Sequence, residues 1–167
     1  MIDRRVIGVR LTTLRPMSPA AFAAYRESEI ASFAEENVAC GRWPAEGALE
    51  RSRAEFVELL PQGVETPDNH LMEILASGDG PVVGHLWFAV ETRGEQRVAF
   101  VYDIVVLDAH RRRGHATLAL QALERLAGPL GFGRVSLHVA GDNDAAQRLY
   151  RHAGFAVMGV SMSKPVA

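Results

Sequence analysis

Residues 103–116 read DIVVLDAHRRRGHA, and this stretch indicates the kind of fold that the chain adopts. The apolar run over residues 98–107 is nearly unbroken, which is typical of a central strand buried on both faces of a sheet. Three arginines and a glycine follow this strand where a helical pattern begins. Ligands of α/β sheets bind at the carboxyl ends of strands, so the loop is a candidate ligand site.

The helix and the strand that follow this loop complete a βαβ unit. Apolar residues recur at helical spacing over residues 116–130, with polar residues between them. Residues 135–139 read as the next strand. A strand, a helix and a strand in this order predict that the two strands are parallel.

A last helix and a last strand are predicted after this unit. Residues 142–153 have the helix pattern, with Asp142 or Asn143 as N-cap and Gly154 after the last turn. Residues 155–163 are then predicted to close the sheet.

The first part of the chain alternates between strand and helix patterns. The predicted elements are a strand over residues 6–13, helices over 18–38 and 44–60, and strands over 70–76 and 82–90. With 167 residues, 48% of them hydrophobic, the chain fits one domain over residues 1–167. The predicted fold class is α/β, more closely α+β, with N-terminal helices beside a mixed central sheet.

The basic loop has the chemistry of a phosphate site. A helix start presents unpaired backbone N–H groups and a partial positive charge, and Gly114 and Ala116 would let a phosphate approach the backbone. A charge run more often indicates a solvated turn, but its place after a buried strand favours a ligand. The sequence has no G-x-x-x-x-G-K-[ST] motif, and Gly131-Phe132-Gly133 lacks the third glycine of a dinucleotide fingerprint. A phosphate-bearing coenzyme other than ATP or NAD is therefore expected.

Two segments resemble the GNAT superfamily of acyl-CoA N-acyltransferases. Residues 111–116, RRRGHA, are similar to the family signature [QR]-x-x-G-x-[GA] after the fourth strand. Residues 143–155, NDAAQRLYRHAGF, are similar to the family segment N-x-x-A-x-x-L-Y-x-x-x-G-F. The resemblance makes residues 70–163 the coenzyme-binding core and residues 6–69 the acceptor-side part of one GNAT-like domain.

The resemblance implies that acetyl-CoA is the acyl donor and assigns residues to it. Val105 and Val106 would offer backbone groups to the pantetheine arm, and Asn143 would touch the same arm. The residues expected to hold the pyrophosphate are Arg111, Arg112, Arg113, Gly114, His115 and Ala116.

Three residues are candidates for the chemistry. The resemblance implies that Tyr150 protonates the departing thiolate, although a core aromatic residue is the alternative. Asp103 is the only charged residue in the run 98–107, which suggests either a general base or a structural carboxylate. Glu73 is the other candidate base, and Glu35 and Glu36 could hold a cationic acceptor.

The expected reaction is transfer of an acyl group, with acetyl expected, to an amine of a small molecule or peptide. Direct attack in a ternary complex is the simplest mechanism, because no G-x-S-x-G motif surrounds a serine and Cys40 lies in no motif. Two alternatives stay open at this point. One is a non-catalytic CoA-binding or regulatory module of the same fold, and the other is a nucleotide-binding α/β protein unrelated to CoA.

The composition limits the kinds of partner that we expect the chain to bind. The net charge of -2 predicts no nucleic-acid partner, and no apolar run reaches the ~20 residues of a membrane span. The single cysteine fits a cytoplasmic location, and six histidines without an H-E-x-x-H motif predict no metal. A homodimer is compatible with the resemblance, because dimers are common in the family, but the sequence marks no interface.

Overall fold

One mixed sheet of five strands organises the computed structural model, which describes residues 12–164 and 166. The strands are β1 (Thr13–Pro16), β2 (Asn69–Leu75), β3 (Val82–Arg93), β4 (Gln96–Val106) and β5 (Arg134–Leu137). They lie in chain order across the sheet, with β1 to β4 antiparallel and β5 parallel to β4. The predicted mixed sheet and parallel pair are confirmed. Most of the strand predicted over residues 6–13 lies outside the described residues.

Three helices pack on this sheet, α1 (Pro19–Ala39), α2 (Ala48–Leu59) and α3 (His115–Ala127), and a fourth described helix, α4 (Asp144–His152), contacts α3. Helix α1 starts where its sequence predicts, because the Ala21 N–H donates to the Ser18 hydroxyl at 3.1 Å and Pro19 occupies the first turn. Helix α2 is bound to α1 through the buried Ser52 hydroxyl, which donates to the Ile30 carbonyl at 2.7 Å. Single turns of 3-10 helix span Gly63–Glu65 and Asp108–His110.

Each face of the sheet has its own apolar core. On the α3 face, Leu86 of β3 and Leu123 of α3 are completely buried. On the α1 and α2 face, Tyr25, Phe56 and Trp87 belong to a second cluster. Burial of one leucine side chain contributes about 1.5–3 kcal/mol to the free energy of folding. The two clusters therefore stabilise the packing of α3 on one face of the sheet and of α1 and α2 on the other.

Strand β4 changes character halfway along. Val98, Ala99 and Val101 are buried, as the apolar run predicts, but Tyr102 is 42% exposed. The prediction of burial on both faces along the whole strand is therefore wrong, and β3 rather than β4 is the middle strand. The reason is that β5 is only four residues long and leaves the second half of β4 uncovered.

Two local features shape this second half. A bulge at Tyr102 sets Asp103 opposite Trp87 of β3, and bulges of this kind re-aim side chains beside sites. Gly84 of β3 lies against the end of β4, where an added Cβ would stand 2.1 Å from the Val105 carbonyl oxygen. Only glycine permits this close approach of the two strands.

The prediction that residues 155–163 close the sheet is wrong within the described residues, where this segment forms no strand. Four of its side chains are 66–91% exposed: Val157, Met158, Val160 and Met162. Helix α4 ends near Gly154, as predicted, and the Phe155 N–H donates to the Tyr150 carbonyl at 2.9 Å. From this point the chain runs on without rejoining the sheet of its own molecule. No helix in the described part of the chain has the length and apolar character to cross a membrane.

Candidate active site

The basic loop joins β4 to α3 through a backbone turn with two left-handed residues. Arg112 has a φ of 61° and Gly114 a φ of 84°. Gly114 is the N-cap of α3 and provides no side chain to cap the helix. The N–H groups of the first turn, including that of Ala116, therefore keep the arrangement that binds anions at helix starts.

The three arginines of the loop differ in their surroundings. Arg111 folds back on the loop, where its Nε donates to the Val106 carbonyl at 2.9 Å and its Nη2 lies 2.8 Å from the Asp108 carboxylate. Arg112 and Arg113 are exposed and form no ion pair within residues 12–164. These two guanidinium groups are therefore the charges of the loop that a ligand can meet.

His115 has a buried side chain, with 4% of its surface exposed. Its Nδ1 lies 3.2 Å from the hydroxyl of Thr12, which ties the start of α3 to the chain before β1. A contact of His115 with a phosphate would come from its backbone N–H. No group of three or more His, Cys, Asp or Glu side chains in the described chain could hold a metal ion.

A wedge-shaped opening separates β4 from β5. The two strands pair only from Val98 with Arg134 to Val101 with Leu137, after which β4 continues to Val106 without a strand on that side among the described residues. Val105 and Val106 pair with β3 on their other side. The opening therefore leaves one edge of β4 accessible to an extended ligand, because an unpaired strand edge presents backbone donors and acceptors.

Asn143 precedes α4, which follows β5 in the chain. Its Oδ1 accepts the Ala146 N–H at 3.0 Å, so the predicted choice between Asp142 and Asn143 as N-cap is settled for Asn143. Its Nδ2 group has no partner in the described chain and is able to donate to a ligand.

Asp103 is held by a tyrosine of α1. The hydroxyl of Tyr25 donates to Asp103 Oδ2 at 3.0 Å, and the Tyr25 side chain is 2% exposed. Burial raises the pKa of Asp103 to about 6, while the Tyr25 hydrogen bond opposes this rise. Near neutral pH this carboxyl group is therefore mostly ionised and still basic enough to accept a proton.

Glu29 is a second carboxyl group of this site, and the sequence patterns did not single it out. Burial raises its pKa to about 8, with further contributions from the charges of Asp103 and Glu36. Its position four residues after Tyr25 puts both on one face of α1, and this spacing from a buried aromatic residue is the signal that could have found it. Of Glu35 and Glu36, the two glutamates expected to hold a cationic acceptor, it is Glu36 whose charge raises the pKa of Glu29 and of Asp103.

Tyr150 approaches the same cluster from α4. Its side chain is half-buried, and burial, followed by the charge of Asp103, raises its pKa above the ordinary value of a tyrosine. Its ring packs edge-on against Phe155, with 5.8 Å between the ring centres. The charge of Asp103, the first predicted base, therefore reaches Tyr150, the predicted acid.

Glu73, the other candidate base, lies apart in β2 and is 9% exposed. Its Oε2 accepts from Nε and Nη2 of Arg15 at 2.9 and 2.7 Å. The Glu73 carboxylate is therefore engaged in an ion pair with Arg15. His85 of β3 lies opposite Glu73. Burial lowers the pKa of His85, so its imidazole is neutral at neutral pH. The centre of this ring lies 5.3 Å from that of the Tyr25 ring.

The raised pKa of Glu29 predicts how stability depends on pH. The folded protein retains this proton up to about pH 8, whereas an unfolded glutamate releases it near pH 4.3. Stability from this group is therefore lost as the pH rises through that window. We expect Glu29→Gln to raise Tm by about 2–4 °C at pH 8.5 and by less than about 1 °C at pH 5, as measured by calorimetry. Glu35→Gln, on the exposed side of the same helix, is the control, and an equal rise for both variants would contradict the role of burial.

Comparisons with known proteins identify the family of this chain. Residues 30–155 match the model of the acetyltransferase (GNAT) family. The chain is 38% identical over 151 residues to the uncharacterized N-acetyltransferase YycN of Bacillus subtilis (strain 168), a match that covers 90% of this chain and 96% of YycN. It is 33% identical over 152 residues to the uncharacterized N-acetyltransferase YdgE of the same organism, with coverage of 91% and 96%.

The solved structure of YycN extends this likeness to three dimensions. It matches with a TM-score of 0.86 at 36% sequence identity, over 93% of this chain and 99% of the YycN chain. The family match, over residues 30–155, spans the basic loop, β5 and α4. The chain therefore belongs to the GNAT family and is an N-acetyltransferase.

Proposed function

We propose that the enzyme transfers the acetyl group of acetyl-CoA to an amine of a small molecule or peptide, by direct attack while both substrates are bound. The observation that carries this proposal is the unpaired edge of β4, which leads directly into the arginine loop at the start of α3. Aminolysis of a thioester also needs a base and an acid, and Asp103 and Tyr150 are the residues that we assign to these roles.

The coenzyme site consists of the loop and the open strand edge. Acetyl-CoA supplies the thioester, and the N–H groups at Gly114 to Ala116 would bind its pyrophosphate. Arg112 and Arg113 add charge without a competing carboxylate in the described chain. The edge of β4 at Val105 and Val106 would pair with the pantetheine amides, so the arm runs along the strand toward Asp103.

Asp103 acts as the base in this assignment. An alkylammonium group has a pKa of roughly 10.4, and only the free amine attacks. A carboxylate with a pKa of about 6 accepts that proton at neutral pH, directly or through a water molecule. The Tyr25 hydroxyl fixes Oδ2, and a backbone hydrogen bond with Ile104 also holds the carboxylate in place.

Tyr150 acts as the acid. Its raised pKa keeps the phenol protonated at neutral pH. Departing thiolate is the conjugate base of a thiol with a pKa of roughly 8.5, and it needs a proton or a hydrogen bond as the C–S bond breaks. The phenol stands on the same wall as Asn143, which would position the arm that ends in this sulfur.

Helix α1 forms the acceptor side. The charge of Glu36 raises the pKa of Asp103, and the charge of Asp103 raises the pKa of Glu29. Several carboxyl groups therefore lie close together where the amine would arrive. An incoming ammonium would be attracted by this charge.

The exposed Cys40 has no disulfide partner, which supports a cytoplasmic location. The net charge of -2 supports a small acceptor over nucleic acid or an anionic membrane.

Coenzyme binding is tested at Gly114, with a pair of nearly isosteric variants. Asn and Asp both tolerate the left-handed backbone, so Gly114→Asn and Gly114→Asp differ mainly in charge. We expect Gly114→Asp to bind acetyl-CoA at least about tenfold more weakly than Gly114→Asn in calorimetric titrations. Equal affinities would contradict the phosphate assignment, as would stabilisation of the wild type by ATP and not by acetyl-CoA.

Turnover is tested at Tyr150 by free thiol release from acetyl-CoA with a panel of primary amines and peptides. Tyr150→Phe removes only the hydroxyl, and we expect kcat to fall about 100-fold while the KM for acetyl-CoA changes by less than about threefold. Tyr102→Phe, on the exposed part of β4, serves as the control. Wild-type binding of acetyl-CoA without turnover on any amine would contradict the proposed reaction.

The base is identified by the pH dependence of kcat/KM. Because Asp103 must be ionised to accept a proton, wild-type activity should be lost as the pH falls through about 6. We expect Asp103→Asn to have a kcat about 100-fold below that of the wild type and to show no further loss of kcat/KM as the pH falls through about 6. Glu73→Gln should keep the limb, since Arg15 holds that carboxylate apart. The reverse pattern would transfer the role to Glu73.

A further inference from the structure

A pocket lies between the β2–β3 turn and the arginine loop, outside the site assigned to the reaction. Its volume is about 330 Å³, at the lower end of the range of about 300–1,000 Å³ for pockets that hold small molecules. The turn contributes a hydroxyl and apolar groups, while the loop and the start of α3 contribute basic side chains. The residues that line the pocket are Ala76, Ser77, Pro81, His110, Arg113 and His115.

The polar groups of this pocket suit an anion. Arg113 is exposed and has a guanidinium group without an ion pair in the described chain. His110 adds an imidazole and Ser77 a hydroxyl, and no carboxylate among the described residues lines the pocket. Phosphate oxygens bind where a guanidinium fork and further donors converge. The pocket therefore fits a phosphate group, with Ala76 and Pro81 against the organic part that carries it.

Both walls of the pocket are tied to the chain around the start of β1. The Thr12 hydroxyl lies 3.2 Å from Nδ1 of the buried His115, and the Thr13 hydroxyl donates to the Gly78 carbonyl at 3.4 Å. Within the turn, the Ser77 carbonyl accepts a backbone N–H at 2.7 Å. Walls that are held in place before a ligand arrives reduce the entropy lost on binding.

The strand order separates this pocket from the open edge of β4. The strands follow one another from β1 to β5 across the sheet, so the β2–β3 turn lies on the side of β4 away from β5. The edge proposed for the pantetheine arm is the one on the β5 side. A ligand in the pocket and the coenzyme arm therefore approach the arginine loop from opposite sides, and Arg113 belongs to both sites.

We propose that this pocket is an effector site for a small phosphate ester other than the coenzyme, and that its occupant weakens the binding of acetyl-CoA. Two anions that share Arg113 repel each other, and each lowers the affinity for the other by the same factor. The coupling rests on the proposed coenzyme site, which the Gly114 variants test separately.

The test uses inorganic phosphate as the probe, compared with chloride at equal ionic strength. We expect phosphate to weaken the binding of acetyl-CoA to the wild type about fivefold in calorimetric titrations. Ser77→Asp places a carboxylate on the turn wall, so in chloride it should bind acetyl-CoA as weakly as the wild type does in phosphate, with no further effect of phosphate. Ser77→Asn has almost the same shape without the charge and should respond to phosphate as the wild type does.

Thermal unfolding with phosphate alone gives binding in the pocket without the coenzyme. Phosphate should raise Tm more for Ser77→Asn than for Ser77→Asp, because a ligand that binds the native state stabilises it. Equal rises, or an effect of phosphate on acetyl-CoA binding that Ser77→Asp retains, would place the phosphate elsewhere and overturn the proposal.

A second donor identifies the source of the phosphate. Acetyl-dephospho-CoA lacks the 3′-phosphate of the coenzyme, and its binding should be weakened by phosphate and by Ser77→Asp as much as that of acetyl-CoA. Effects confined to acetyl-CoA would mean that the pocket holds the coenzyme's own 3′-phosphate, and the effector site would be wrong.

Discussion

The structure depends on the early end of the pairing between β4 and β5. Only four residues of β5 pair with a strand of eleven residues, and the proposed coenzyme site lies along the edge of β4 that this leaves unpaired. The unpaired edge of β4 offers backbone groups, and the strand's carboxyl end passes directly into the anion-binding loop. A sheet with full pairing here would have no room for a ligand arm between the strand and α4.

The close packing of β3 on β4 supports this arrangement from the other side. Gly84 lets the strands approach where β4 has lost its second neighbour, and the bulge at Tyr102 turns Asp103 toward α1. The carboxyl group is then fixed by a buried phenol of that helix. The position of Asp103, the proposed base, is therefore set by strand geometry, while burial and the residues of α1 shift its pKa.

Local chemistry explains which parts of this fold could be predicted from sequence. Ser18-Pro19, the arginine loop and the N-cap at Asn143 are signals read within a few residues, and the helices they begin are present. The parallel pairing of β4 and β5 was predicted correctly, but the extent of strand pairing was not. The apolar run of β4 does not show that β5 stops at Leu137, and the alternation after Gly154 predicted a strand that the described chain does not form. Asp103 and Tyr150 were expected, whereas Glu29 and Tyr25 became part of the site only through the packing of α1 on the sheet.

Carboxyl groups that are partly withdrawn from water are costly to a fold, and the half-buried Glu29 and Asp103 are accommodated differently from the buried Glu73. Glu73 shows the structural solution, because Arg15 neutralises it within the same face of the sheet. Glu29 and Asp103 have no cation near them among the described residues, and each raises the pKa of other groups in the cluster. A core under selection for stability alone would replace such a pair with apolar residues. Their retention beside Tyr150 fits a site whose missing positive charge is brought by the amine that it acetylates.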